Sequence, residues 1–171
     1  MDLIEKAKAA QGALERTFAG LPGIKGYKEK ELRREADKTV RELLARDLDE
    51  QRKRLQKLQV DLLSAGGLQW VDDVERAVNK LQTLVDRIKT ASYGYAPLFD
   101  DVKVKEPQLE ALAQFDQQMV DRVGALQAQV DALAAAVKAR EGIGDAAGAL
   151  TDHLDMLNTV WGHRQEAILN S

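Results

Sequence analysis

The spacing of apolar residues between Leu68 and Ala91 constrains the fold of this chain more than any other feature. Six of them recur there at intervals of three and four: Val71, Val74, Val78, Leu81, Val85 and Ile88. This alternation is the seam of a left-handed helical bundle. Trp70, Ala77, Leu84 and Ala91 widen the stripe on one flank. The width predicts that this helix contacts two neighbours and is the most buried one, with Leu81 near its middle.

Similar stripes, separated by clusters of Gly and Pro, predict helices over the remainder of the chain. The segments are 1–19, 27–65, 68–91, 107–141 and 146–170. Apolar residues make up 44% of the 171 residues and charged residues 31%, which is typical of one globular domain with a charged surface. We therefore predict an all-α fold over 1–171, an antiparallel up-and-down bundle of four long helices plus a short N-terminal helix.

The connections indicate how these helices are arranged. Short turns join 27–65 to 68–91 and 107–141 to 146–170, so each pair is predicted to form an antiparallel hairpin. About fifteen residues, Ser92 to Glu106, link the two hairpins and could span ~50 Å. That length predicts a return of the chain toward the start of segment 27–65.

Segment 27–65 is unusually rich in charge. Five acid–base pairs lie four residues apart in the order that stabilises a helix: Glu29/Arg33, Asp37/Arg41, Glu42/Arg46, Asp49/Lys53 and Glu50/Arg54. Between Lys25 and Lys57 there are twelve basic and eight acidic residues, whereas the chain from Ala91 onward has six basic and twelve acidic. The basic excess could meet phosphates, or it could face the acidic segments 107–141 and 146–170. We favour the second interpretation, because no aromatic residues are interleaved with the basic run.

The residues that usually carry catalysis or metal binding do not form a known motif. The chain has no Cys, and its two histidines, His153 and His163, lack the paired Glu-x-x-His pattern of di-iron bundles. Asp116 interrupts an apolar seam, where a buried carboxylate could act as an acid or base, pair with Arg or Lys, or face solvent. We expect no enzyme activity, no cofactor and no metal.

The predicted loop between the hairpins contains an aromatic cluster, Tyr93-Gly-Tyr95-Ala-Pro-Leu98-Phe99. Tyr is enriched at protein interfaces, although these rings could instead cap one end of the bundle. The lengths of the helices predict that the cluster meets two further aromatic residues at one end of the bundle. The predicted partner-binding residues are Tyr93, Tyr95, Leu98, Phe99, Phe18 and Tyr27.

These observations predict a non-enzymatic interaction or scaffold protein that acts through helix faces and the aromatic loop. Its expected partner is another protein or a second copy of the chain. The alternative is peripheral binding of a membrane or nucleic acid through the basic helix 25–57. The net charge of the chain is −3, so its overall charge does not favour binding of nucleic acid. The first residues contain no long apolar run, so a cytoplasmic location is expected.

Overall fold

Four α-helices make up most of the computed structural model, which describes residues 30–91, 106–164 and 166. They are α1 (Lys30–Ser64), α2 (Val71–Thr90), α3 (Glu106–Ala139) and α4 (Ile143–Gly162), and a 3-10 turn (Leu68–Trp70) precedes α2. No strand occurs in these parts of the chain, so the all-α prediction is confirmed. The predicted N-terminal helix 1–19 lies outside the described residues.

The helices differ in length as the sequence predicts. α1 has 35 residues and α3 has 34, whereas α2 and α4 have 20 each. At a rise of 1.5 Å per residue these helices are about 50 Å and about 30 Å long. Because short turns join α1 to α2 and α3 to α4, the extra length lies at the N-terminal ends of α1 and α3. None of the four described helices is long and apolar enough to cross a membrane.

The α1–α2 hairpin and the α3–α4 hairpin pack side by side and point in the same direction. α1 lies against α2 and α3, and α4 lies against the same two helices, so α1 and α4 face each other diagonally. Trp70 contacts Gly144 near the starts of α2 and α4, and Arg87 donates a hydrogen bond to Asn158 near their ends. α2 therefore runs parallel to α4, and α1 runs parallel to α3. α2 ends and α3 begins at the end of the bundle where α1 starts. The predicted course of the link between them lies outside the described residues.

An apolar core runs between the four helices. The buried residues of α2 are Val74, Ala77, Val78, Leu81, Leu84, Val85 and Ile88. This set confirms the predicted seam, apart from Val71, which is only half-buried. The other helices contribute the residues that their stripes predict, for example Leu48, Val130 and Leu154, each of which is buried. Acidic residues in the first turn of α2 and basic residues in its last turn also suit the helix dipole.

The predicted start of the last helix, residue 146, is wrong by three residues. α4 begins at Ile143, directly after Gly142, whose φ of 68° is a left-handed conformation that favours glycine. Gly144 therefore lies inside the helix. A Cβ placed there would be 2.7 Å from Cζ3 of Trp70, so the missing side chain makes room for the indole ring. α4 ends at Gly162 with a turn at His163, and it does not run unbroken to the predicted 170.

Two of the five pairs predicted along α1, Glu29/Arg33 and Asp37/Arg41, involve side chains outside the described ones, and of the other three only one is correct. Lys53 does pair with Asp49, at 3.3 Å. Glu42, however, pairs with Lys38 at 3.7 Å, while Arg46 contacts its neighbour in the sequence, Asp47.

The last of the five predicted pairs is replaced by a contact between helices. Arg54 pairs with Asp131 of α3 instead of with Glu50 of its own helix. The basic α1 thus does lie against the acidic α3. The expectation that it also lies against α4 is wrong, because α4 is diagonal to it.

Candidate functional site

The predicted partner-binding residues all lie outside the described residues: Tyr93, Tyr95, Leu98, Phe99, Phe18 and Tyr27. The aromatic loop therefore stays a prediction. Candidate sites in the described part of the chain are an apolar patch at the α1–α2 turn, two charged grooves on α1, and two buried carboxylates.

Three large apolar side chains are exposed close to the α1–α2 turn. Val60 is 60% exposed, Leu63 is 54% exposed and Leu68 is 65% exposed. Val60 and Leu63 are three residues apart, so they share one face of α1. We call these three residues the turn patch. Of the large apolar residues in the described ranges, only Met156, on α4, is also classed as exposed.

The backbone of the turn holds this patch in a defined geometry. Gly66 has a φ of 80°, and the amide of Gly67 donates to the carbonyl of Leu62 at 2.8 Å. A left-handed glycine followed by such a bond is the Schellman ending of a helix. A Cβ at Gly67 would lie 2.6 Å from Cδ2 of Leu62, so the turn packs tightly on the core. Leu68 begins the 3-10 turn that follows.

The sequence pattern alone does not single out the turn patch. Val60 and Leu63 lie in an apolar-rich run beside Leu58 and Leu62, which are buried. The only signal is that both residues fall off the stripe that connects Leu55, Leu58 and Leu62.

Two adjoining grooves run along α1, near the C-terminal end of α2. The first encloses ≈ 350 Å³ and is lined by Lys38, Arg41, Glu42 and Lys89. The second encloses ≈ 440 Å³ and shares Glu42 and Lys89 with the first; its other lining residues are Ala45, Arg46, Asp49, Glu50 and Lys53. Among the described lining residues, the first groove has three cationic side chains and one carboxylate, and the second has three of each.

Asp47 is a buried carboxylate on α1. It lies seven residues before Arg54, and so on the face that meets α3. It is 5% exposed, and its Oδ2 finds no hydrogen-bond partner among the described residues. Burial raises the pKa of the Asp47 carboxyl, and the nearby Arg46 guanidinium offsets this only in part. At Asp49, in contrast, the hydrogen bond from Arg52 lowers the pKa.

Asp116, the second buried carboxylate, forms an ion pair with Arg164. The Asp116 side chain is 1% exposed and that of Arg164 is 0% exposed. Nε of Arg164 donates to Oδ1 at 3.1 Å, and Nη2 donates to Oδ1 at 3.0 Å and to Oδ2 at 3.3 Å. Of the three roles that the sequence left open for Asp116, the structure supports pairing with a cation. The sequence does not identify Arg164 as the partner, because 48 residues separate the two.

An aromatic ring lies against the Arg164 guanidinium. Cζ of Arg164 lies 5.2 Å from the ring centroid of Trp161, a cation–π geometry. The Trp161 and Phe115 rings are tilted at 57°, with their centroids 6.4 Å apart. The pair therefore fastens the segment after α4 to α3, at the end of the bundle remote from the two turns.

The histidines are placed apart from these features. His163 is exposed, and His153 is half-buried, with Nε2 2.9 Å from the carbonyl oxygen of Arg122. In the described ranges no three His, Asp or Glu side chains converge in a way that could hold a metal ion.

Comparison with known proteins finds no match at any level. No protein-family model, no curated protein and no solved structure matches this chain.

Proposed function

We propose that this protein is a non-enzymatic interaction protein whose helical bundle presents the turn patch to an apolar surface of another protein. The observation that carries the proposal is the exposure of Val60, Leu63 and Leu68 within nine residues of chain. Exposed apolar residues are ordinary when scattered, whereas a concentration of them favours a binding surface. Val60 and Leu63 project from α1 and Leu68 from the 3-10 turn that follows, so the backbone of the patch is ordered before binding and less conformational entropy is lost.

The wider hypothesis has two further parts. We also propose that the aromatic loop, residues 93–99, forms a second contact surface of the same protein. A cytoplasmic location is also part of the proposal. The alternative function, binding of a membrane or nucleic acid through the basic helix 25–57, is favoured by the three cations of the first groove.

A photo-crosslinking amino acid placed at Leu63 tests the proposal. Irradiation in the native host should attach one identified protein, and the same product should disappear when Val60 and Leu68 are both changed to Ser. The matched control carries the crosslinker at Gln118, which is exposed on α3 at the end of the bundle remote from the turns. All variants should keep the parent melting temperature, because exposed substitutions usually change stability by no more than ~0.5 kcal/mol.

The proposal fails if Leu63 and Gln118 yield the same products, or if the Val60/Leu68 double variant still gives the full yield. A product that contains only a second copy of the chain would identify self-association as the function of the patch. Sedimentation of the purified protein would then have to show a dimer that the double variant loses.

A further inference from the structure

The first groove on α1 concentrates positive charge at one place on a protein of net charge −3. Lys38 and Arg41 project from α1 and Lys89 from the last turn of α2, and Glu42 is the one carboxylate among the lining residues that the structure describes. The packing of α2 against α1 brings Lys89 to the same groove as Lys38 and Arg41.

The three cations differ in how firmly they are held. Arg41 is 8% exposed, so its position is fixed by the surrounding bundle. Lys38 forms an ion pair with Glu42 at 3.7 Å. Both side chains are about two-thirds exposed, so this ion pair contributes little stability in water. Lys89 is exposed and makes no hydrogen bond or ion pair with any residue in the described ranges. The groove thus combines two exposed ammonium groups with one buried guanidinium.

The adjoining second groove lacks this character. Its three cations are balanced by Glu42, Asp49 and Glu50. Lys53 and Arg52 already contact the two oxygens of Asp49, at 3.3 and 2.9 Å. The described lining residues therefore favour an anion at the Lys38 end of the surface over the Glu50 end.

We propose that the groove of Lys38, Arg41 and Lys89 binds a phosphate group. Guanidinium and ammonium N–H groups are the donors that phosphate oxygens take most readily, and charge-assisted bonds of this kind are the stronger hydrogen bonds. Glu42 competes with the ligand, because its carboxylate occupies Lys38 in the empty groove. Phosphate binding releases Lys38 from Glu42 and brings Lys89 into contact with the anion. The groove lies about 30 Å from Val60 along α1, so this site is separate from the turn patch.

Titration with inorganic pyrophosphate at low ionic strength, followed by calorimetry, tests the site. Lys89→Gln should weaken binding about 3-fold, and Lys38→Gln combined with Lys89→Gln about 10-fold, as expected for exposed charge pairs. Glu42→Gln should strengthen binding about 2-fold, which a purely structural role would not produce. The control is Lys57→Gln, which removes an exposed lysine of α1 outside both grooves and should change nothing. Added salt should weaken binding to the parent protein.

Vesicles distinguish the two sources of the phosphate. Phosphatidylcholine vesicles that contain phosphatidic acid should bind the protein, in competition with pyrophosphate, if the ligand is a lipid headgroup. A soluble phosphate ligand predicts pyrophosphate binding without vesicle binding. The proposal is overturned if the parent binds neither probe, if Lys57→Gln weakens binding as much as Lys89→Gln, or if vesicle binding survives the Lys38/Lys89 double substitution. None of these results bears on crosslinking at Leu63.

Discussion

Breaking the buried Asp116–Arg164 pair should destabilise the bundle far more than removing both of its members. Arg164→Met leaves the Asp116 carboxylate, 1% exposed, without its bidentate partner. Loss of one member of a buried pair costs about 3–5 kcal/mol, and the cation–π contact with Trp161 adds up to about 1 kcal/mol. Asp116→Leu should cost a similar amount, because it leaves a buried guanidinium. The total stability of a domain is only about 5–15 kcal/mol, so either single variant should unfold readily.

The Asp116→Leu/Arg164→Met double variant should be within about 2 kcal/mol of the parent, because apolar residues of similar volume can replace a buried ion pair. Urea unfolding followed by circular dichroism at 222 nm measures all three variants. Arg76→Met is the control, since Arg76 pairs only with Asp73 on the surface of α2; it should change stability by no more than about 0.5 kcal/mol. The reasoning is refuted if either single variant costs under 1 kcal/mol, or if the two single costs simply add in the double variant.

Three further predictions concern packing and charge. Gly144→Ala should lower the free energy of unfolding by about 1–3 kcal/mol, because the added Cβ would overlap the indole ring of Trp70. Gly148→Ala on the same helix has nothing within 4 Å of the added Cβ and should raise the free energy of unfolding by about 0.5–1 kcal/mol. Melting temperatures of the two variants that shift in the same direction would contradict this. Leu81→Ala should cost about 2–5 kcal/mol in urea unfolding, since Leu81 is fully buried, and an unchanged midpoint would show that the seam is misassigned. Asp47→Asn should stabilise the protein at neutral pH and not in acid, because the pKa of the Asp47 carboxyl is higher in the folded than in the unfolded protein, so its ionisation lowers stability as pH rises. Asp49→Asn should destabilise the protein slightly at neutral pH and not in acid, because folding lowers the pKa of the Asp49 carboxyl.

The core and the helix lengths were predictable because both depend on local periodicity. The α2 stripe from Val74 to Ile88 is buried as the sequence indicates, and α1 and α3 exceed their partners in length. What was missed depends on contacts between distant residues. Gly144 looks like a helix break in the sequence, yet it lies within α4, where the ring of Trp70 occupies the space of its side chain. Local glycine content cannot reveal a ring 74 positions earlier in the chain.

The charge pattern shows the same limit. The four-residue spacing along α1 correctly predicts the Asp49–Lys53 pair. Arg54, however, pairs with Asp131, 77 residues away, and not with the predicted Glu50. A cross-helix partner becomes visible only when the register of α1 against α3 is known. The candidate sites also depend on how the helices pack. The turn patch and the first groove are defined by exposure and by the meeting of two helices, whereas the predicted aromatic site rests on composition and on predicted helix lengths.

The chain has two tryptophans, and the fold places them at opposite ends of the bundle. Trp70 covers Gly144 beside the two turns, while Trp161 lies against Phe115 and Arg164 at the other end. Replacing either one by Phe leaves a single emitter whose spectrum reports on one end alone. The emission of Trp161 should shift to longer wavelength when that end admits water, even if the hairpin turns stay closed. Fraying of one end can thus be followed optically and separately from the other.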